Sequence, residues 1–452
     1  MTLEQAFFVQ ALAAYIQGKP DIRVPGGWES LDWPQLLQYA RTQNLAGIFY
    51  VQCRDNLSRI PALQSILEEL HAGFVSEAAH SVARQQDLAQ LEQQLTQAEI
   101  PFLPFKGSVL SQCYPAPQLR TMGDTDFLIR GKDRLHCHQL MCSLHYTPKE
   151  DPGAVWTYSD GVVTYEIHSH MFYEPLANQV DYQSYFDQAW RFARPLLDTS
   201  RYELDEGFHF LYLMAHTAKH IINKGCGLRP FLDMVFFIQQ QNRNMNWVWI
   251  TQQLEELDLL AFTQTCFALC EKWFGVSMPI SSSPLEESFF LEATEKVFAD
   301  GIFGHINQQN RAAAMAKQVH RSRLPRSLAF LADTWKKIFP PYRDMRHVPW
   351  YAFVNHRPYL MPVAWSYRFL YCLVHKPKAS TDRLADPYTH QEEIAARENL
   401  ITSWVVRALT AIGEISFPIR PGSIPVGVCC QDGALYGKFS PLPCQASLFR
   451  VK

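Results

Sequence analysis

Between residues 100 and 170 the side chains alternate in steps of two, while on either side the apolar positions recur in steps of three and four. Across 124–129, Asp124, Asp126 and Leu128 fall on one face of a strand, and Thr125, Phe127 and Ile129 on the other, which reads as core. Across 162–170, Glu166, His168 and His170 share one face, and Val163, Tyr165 and Ile167 the other. The run Phe102-Leu-Pro-Phe105 reads as a short strand that ends in Gly107-Ser108 and passes into a helix. Residues 132–144 are expected as a helix behind the sheet, and 147–153 as a loop. Strands near 154–158 and 162–170 are then joined by the hairpin turn Ser159-Asp160-Gly161.

The flanks predict helices. Leu88, Leu91, Leu95 and Ala98 recur at helical spacing among Gln and Glu and deliver the chain to Ile100. Gly18, Pro20 and Pro25-Gly-Gly27 punctuate the earlier part. Helices are expected over 206–222, ended by Gly225-Cys-Gly227, and over 228–240 and 247–274. Pro279 and Ser281-Ser-Ser-Pro284 mark a joint before a further helical stretch. The fold class is therefore α+β, a small mixed sheet framed by helices. The expected divisions are 1–79, an N-terminal helical segment; 80–175, the core; and 176–280, a helical domain closing over the site. A helical, basic and aromatic region follows at 281–420, and an irregular tail at 421–452.

The chain of 452 residues is long enough to bury a large core. Its net charge of −3 gives no overall electrostatic case for nucleic acid. The acidic start, lacking a basic leader, argues against a secretory signal, and no uncharged apolar run reaches the length of a membrane span. Eleven cysteines without paired or metal-ligand spacing fit reduced thiols, and the expected compartment is cytoplasmic.

Asp124 and Asp126 place two carboxylates at the start of one strand, where repulsion disfavours ionising both unless a cation sits between them; Mg²⁺ or Mn²⁺ is the natural partner. Glu166 on a neighbouring strand supplies a third carboxylate. A glycine at 107 lets backbone approach a ligand closely. The order strand, Gly-Ser, helix, Asp-x-Asp strand, later acidic strand resembles the DNA polymerase β-like nucleotidyltransferase superfamily. More narrowly, Lys106-Gly107, Tyr114-Pro115, Leu119-Arg120-x-Met122-Gly123-Asp124-x-Asp126 and Glu166-Ile-His168 resemble a bacterial family of uncharacterised nucleotidyltransferases.

That resemblance implies transfer of a nucleoside monophosphate from an NTP such as ATP to an acceptor hydroxyl, a small molecule, sugar, protein or RNA. Asp124 and Asp126 would hold metal, Glu166 would complete the site or act as base, and Gly107 and Ser108 would hold phosphate. Lys106 and Arg120 would neutralise triphosphate charge, with Lys219, His220 and Asp233 as neighbours on the helical part. Two alternatives stand beside it: a hydrolase or oxygenase using His168, His170 and a carboxylate, and a nucleotide-binding protein without chemistry. His216 and His220 share a helix face, but His-Thr-Ala-Lys-His lacks the glutamate of a zinc-protease helix, so core or phosphate contact is expected. The basic stretch 317–346, with Lys317, Arg321, Arg323, Arg326, Lys336, Lys337, Arg343 and Arg346, is expected as a solvated face or as a dock for an acidic partner, a membrane surface or nucleic acid.

Overall fold

The computed structural model describes residues 1–301, apart from 21, 23, 25, 150–154, 177 and 283, and beyond them 335, 339–345, 353–354 and 357–375. None of the eight cations of the basic stretch has a described side chain, and the tail lies wholly outside the described residues.

Three helices open the chain: α1 (Leu3–Ile16), α2 (Trp33–Thr42) and α3 (Ala46–Leu57). Thr2 starts α1 with a reciprocal cap, its hydroxyl accepting from Gln5 N–H while the Gln5 side chain accepts from Thr2 N–H. The helix α4 (Gln64–Gln97) then runs unbroken through residues 79 and 80, where one of the expected divisions falls. Its beginning packs into the large helical core through Ile66, Leu67, Leu70 and Phe74; its end packs into a second core through Leu88, Leu91 and Leu95.

The sheet is mixed, as expected. Its strands are β1 (Phe102–Phe105), β2 (Thr125–Ile129), β3 (Thr147–Pro148), β4 (Val155–Ser159) and β5 (Thr164–His168), in the order β1-β2-β5-β4-β3. β1 lies antiparallel to β2, β2 parallel to β5, and β4 antiparallel to β5. The edge strand β3 occupies residues expected as loop, because Thr147 and Pro148 pair with β4 and Lys149 N–H continues that pairing onto Thr157 O at 2.8 Å. A short helix α5 (Gly107–Ser111) follows β1, and α6 (Arg134–Ser143) follows β2.

Period two gives the sheet two different faces. Phe102, Phe127, Ile129, Tyr165 and Ile167 form one, closed by α4 and by Cys137 and Met141 of α6. Leu103, Phe105, Asp126, Leu128 and His168 form the other, all buried. After β5 come the short helix α7 (Tyr182–Phe186) and a ribbon of β6 (Ala193–Pro195) and β7 (Tyr202–Leu204), and the chain then lays α8 (Glu206–Asn223) against that second face. Asp205 caps α8, accepting from Phe208 N–H at 2.9 Å. Gly225 ends the turn at φ +87°, where an added Cβ would run into Asp300. Next come α9 (Arg229–Gln241), α10 (Trp247–Glu256), α11 (Leu260–Phe274) and α12 (Glu287–Asp300). They share one core with α1–α3, from Phe7 to Phe298. Gln43, fully buried, fastens three parts of it: its amide donates to Val297 O at 3.1 Å and accepts from Leu228 N–H at 2.7 Å. Further on, α13 (Tyr342–Met345) and α14 (Met361–His375) are described. No helix among the described residues is long and apolar enough to cross a membrane.

Candidate active site

A cavity of about 470 Å³ opens where α8 and α9 cross the polar face of the sheet. Lys106, Asp124, Asp126 and Glu166 line it from the sheet side; Lys219, His220, Arg229 and Asp233 line it from the helices. Nine of the ten residues that the transferase reading singled out therefore meet at one cavity, Gly107 and Arg120 included. Ser108 is the exception. It is buried in α5, its hydroxyl has no hydrogen-bond partner, and it does not line the cavity.

The acidic centre comes from register. Asp126 on β2 and Glu166 on β5 are paired across parallel strands, so both side chains leave the same face. With His168, two residues further along β5, they bring one ligand atom each within 4.8 Å of one another. Asp124 lies in the loop ahead of β2 and is exposed at the cavity, outside that group of three. Although open to solvent, its carboxyl is crowded by protein. Loss of water, then Asp126 and Glu166, push its pKa up to about 6.

Asp126 is the buried member. Its Oδ1 receives Lys106 Nζ at 2.5 Å and His168 Nε2 at 2.8 Å. Burial alone would raise its pKa, but Lys106 and His168 outweigh that and hold the carboxylate ionised, below its ordinary value. Burial likewise disfavours the Lys106 ammonium, and Asp126 reverses it. Glu166 is half-buried, its Oε2 3.5 Å from His168 Nε2. His168 thus braces a carboxylate, and Phe105 packs edge-on against its ring.

His170 goes elsewhere. The strand stops at His168, so the alternation that would have aligned His170 stops with it, and its Nδ1 meets Asp187 Oδ1 at 2.8 Å. The arrangement of two histidines and a carboxylate is not assembled.

Arg120 and Asp233 line the cavity but face each other. Arg120 Nε and Nη2 donate to the two carboxylate oxygens of Asp233 at 2.7 and 2.9 Å, and Nη1 donates to Gly107 O at 3.3 Å. Tyr114 O–H completes the group on Asp233 at 2.7 Å. Burial opposes both charges, but each partner more than offsets it, raising Arg120 and lowering Asp233. The same guanidinium explains Gly107, whose added Cβ would stand 3.2 Å from Arg120 Nη1 and 3.0 Å from Met122 Sδ.

Three residues carry more of the site than the sequence showed. Arg229, at the start of α9, donates to Thr121 O at 3.1 Å, and its Nε–H has no hydrogen-bond partner. Burial and then Arg120 lower its pKa to about 10. His209 on α8 accepts from Lys106 N–H at 3.3 Å, and burial depresses its pKa to about 4, so the ring is neutral. Tyr212, one turn on, packs edge-on to Phe105. The spacing 209, 212, 216, 220 puts these residues and two further histidines on one stripe of α8, a signal present in the sequence. His216 and His220 approach at 2.9 Å, Nε2 to Nε2, with both pKa values lowered, by burial first. Lys219 pairs with Glu174 at 3.2 Å and lies over the Tyr173 ring.

Comparison with curated proteins and with solved structures finds no match. A family model described as an uncharacterised nucleotidyltransferase matches residues 29–275, a span that holds the sheet, α8, α9 and every residue of the cavity discussed above. On that match, over more than half its length, the chain belongs to this nucleotidyltransferase family.

Proposed function

We propose that the protein transfers a nucleoside monophosphate from an NTP to an acceptor hydroxyl, with release of pyrophosphate, in a reaction that depends on a divalent metal. The register pairing of Asp126 with Glu166, opposite a wall bearing Lys219 and Arg229, carries the reading. It puts carboxylates and phosphate-seeking cations on two sides of one cavity.

The donor set fits a hard cation. Asp126 and Glu166 offer oxygen at close quarters, with Asp124 at the edge. Bound there, Mg²⁺ would make the acceptor hydroxyl easier to deprotonate and offset charge on the phosphates. The chain's own residues do the rest. Asp126 stays ionised and is braced by His168, and Glu166, the more open strand carboxylate, takes the proton of the hydroxyl. The oxygen then attacks the α-phosphorus, the bond to the bridging oxygen breaks, and pyrophosphate departs with that bond's electron pair. Lys219 and Arg229 hold the triphosphate, Arg229 by a guanidinium suited to two phosphate oxygens.

The test is binding of the four NTPs with Mg²⁺ or Mn²⁺, wild type beside Asp124→Asn/Asp126→Asn. Metal-dependent binding lost in the double variant supports the reading. No NTP binding at high micromolar concentration by the folded wild type rejects it.

A further inference from the structure

Two observations at Lys106 go beyond phosphate binding. Its ammonium sits on Asp126 Oδ1, an oxygen of one of the three side chains whose ligand atoms lie within 4.8 Å of one another. Its backbone, moreover, holds φ +55° and ψ −122°, a conformation that suits glycine and costs a side-chain-bearing residue of order 1–3 kcal/mol. Glycine stands at the very next position, so the strain at 106 keeps a lysine where the turn itself favours none. His209 fixes that backbone from α8.

We infer that Lys106 is a resident counter-ion: its ammonium holds Asp126 until a divalent cation takes that oxygen, and then turns to the phosphates of the nucleotide. The second half rests on the transferase reading; the first does not. Asp126 is 2% exposed, and a carboxylate that deep without a partner is costly, so some cation must accompany it in every state. Lys106 and a metal on that carboxylate would compete. A singly charged ammonium and a doubly charged ion would stand within about 5 Å of each other, in a site of low dielectric, and the repulsion favours exchange. With the backbone held by His209, exchange is a swing of the lysine stem, and the cavity it lines gives it room. Metal alone therefore competes against a built-in cation and binds weakly. A ligand that offers the displaced ammonium a new anion strengthens it.

The experiment titrates Mn²⁺ alone, without nucleotide, against wild type, Lys106→Met and Lys106→Arg, reading free Mn²⁺ by electron paramagnetic resonance and folding by melting curves. Lys106→Met is expected to bind Mn²⁺ at least tenfold more tightly than wild type, and Lys106→Arg no more tightly than wild type. A folded Lys106→Met that gains nothing overturns the inference. Should that variant fail to fold, acetic anhydride labelling of the wild type decides. Labelling at Lys106, read by mass spectrometry, must rise when Mn²⁺ fills the site, and labelling unchanged by bound Mn²⁺ overturns the inference. Failure of the transferase reading looks different: no NTP is taken up by any form, whatever the Mn²⁺ series shows.

Discussion

Asp126 and Glu166 stand opposite each other across the parallel strands β2 and β5, one sealed under Lys106 and His168 and the other half open to the cavity. Like charges so placed repel, and what lets both persist is a cation supplied by the chain itself.

The two aspartates of the motif should consequently separate by experiment. Asp126→Asn leaves the Lys106 ammonium buried without its anion and should cost about 3 kcal/mol of stability. Asp124→Asn, at an exposed site, should cost under about 0.5 kcal/mol while weakening metal-dependent NTP binding at least tenfold. Urea unfolding beside binding titrations checks both; equal losses of stability would contradict the assignment.

The two arginines at the cavity should also part. Arg120→Met strands Asp233 and should destabilise by about 3–5 kcal/mol, with Asp233→Leu in addition restoring part of it. Arg229→Gln should leave the melting temperature nearly unchanged and lower NTP affinity about tenfold. A double-mutant cycle on Arg120 and Asp233 measures the coupling directly.

Stability should fall in mild acid because of α8. The pKa of His209 in the folded chain, about 4, lies below the ordinary 6.5, so across that window the unfolded chain binds the extra proton. Its contribution is complete above pH 6.5 and declines as pH drops toward 4, by up to about 3 kcal/mol. His216 and His220 act in the same direction. Denaturant midpoints from pH 7.5 to 4.5 test this, and His209→Gln should flatten part of the slope.

Gln43→Leu should destabilise by about 1–3 kcal/mol, since it orphans the buried Leu228 N–H, while Val297 O keeps its bond from Gly301 N–H. Thermal unfolding is the measurement, and a change within error would show that water replaces the amide.

The sheet was legible because period two is a local property: Phe127 and Ile129 announce a core face, and Asp126 its opposite, without reference to anything distant. Pairing is not local. That β2 runs beside β5, so that Asp126 meets Glu166, depends on the path of the chain between them. Arg120 read as a free cation because Asp233, which claims it, lies 113 residues away. His170 kept the beat of its strand in the sequence, but hydrogen bonding to β4 ends at His168. His209 carries no motif in the sequence, and in the fold it is a buried histidine of an apolar helix. Only the lysine backbone it meets gives it a part in the site.

The helix α4 has a further consequence, for dissecting the molecule. At 34 residues it spans roughly 50 Å, with one end rooted in each hydrophobic core. A fragment beginning at residue 80 would keep the strands and lose the anchor that ties them to the helices over the cavity, exposing the apolar surface that Leu70 and Phe74 cover. Expression boundaries therefore belong before α1 and beyond α12, never inside this strut.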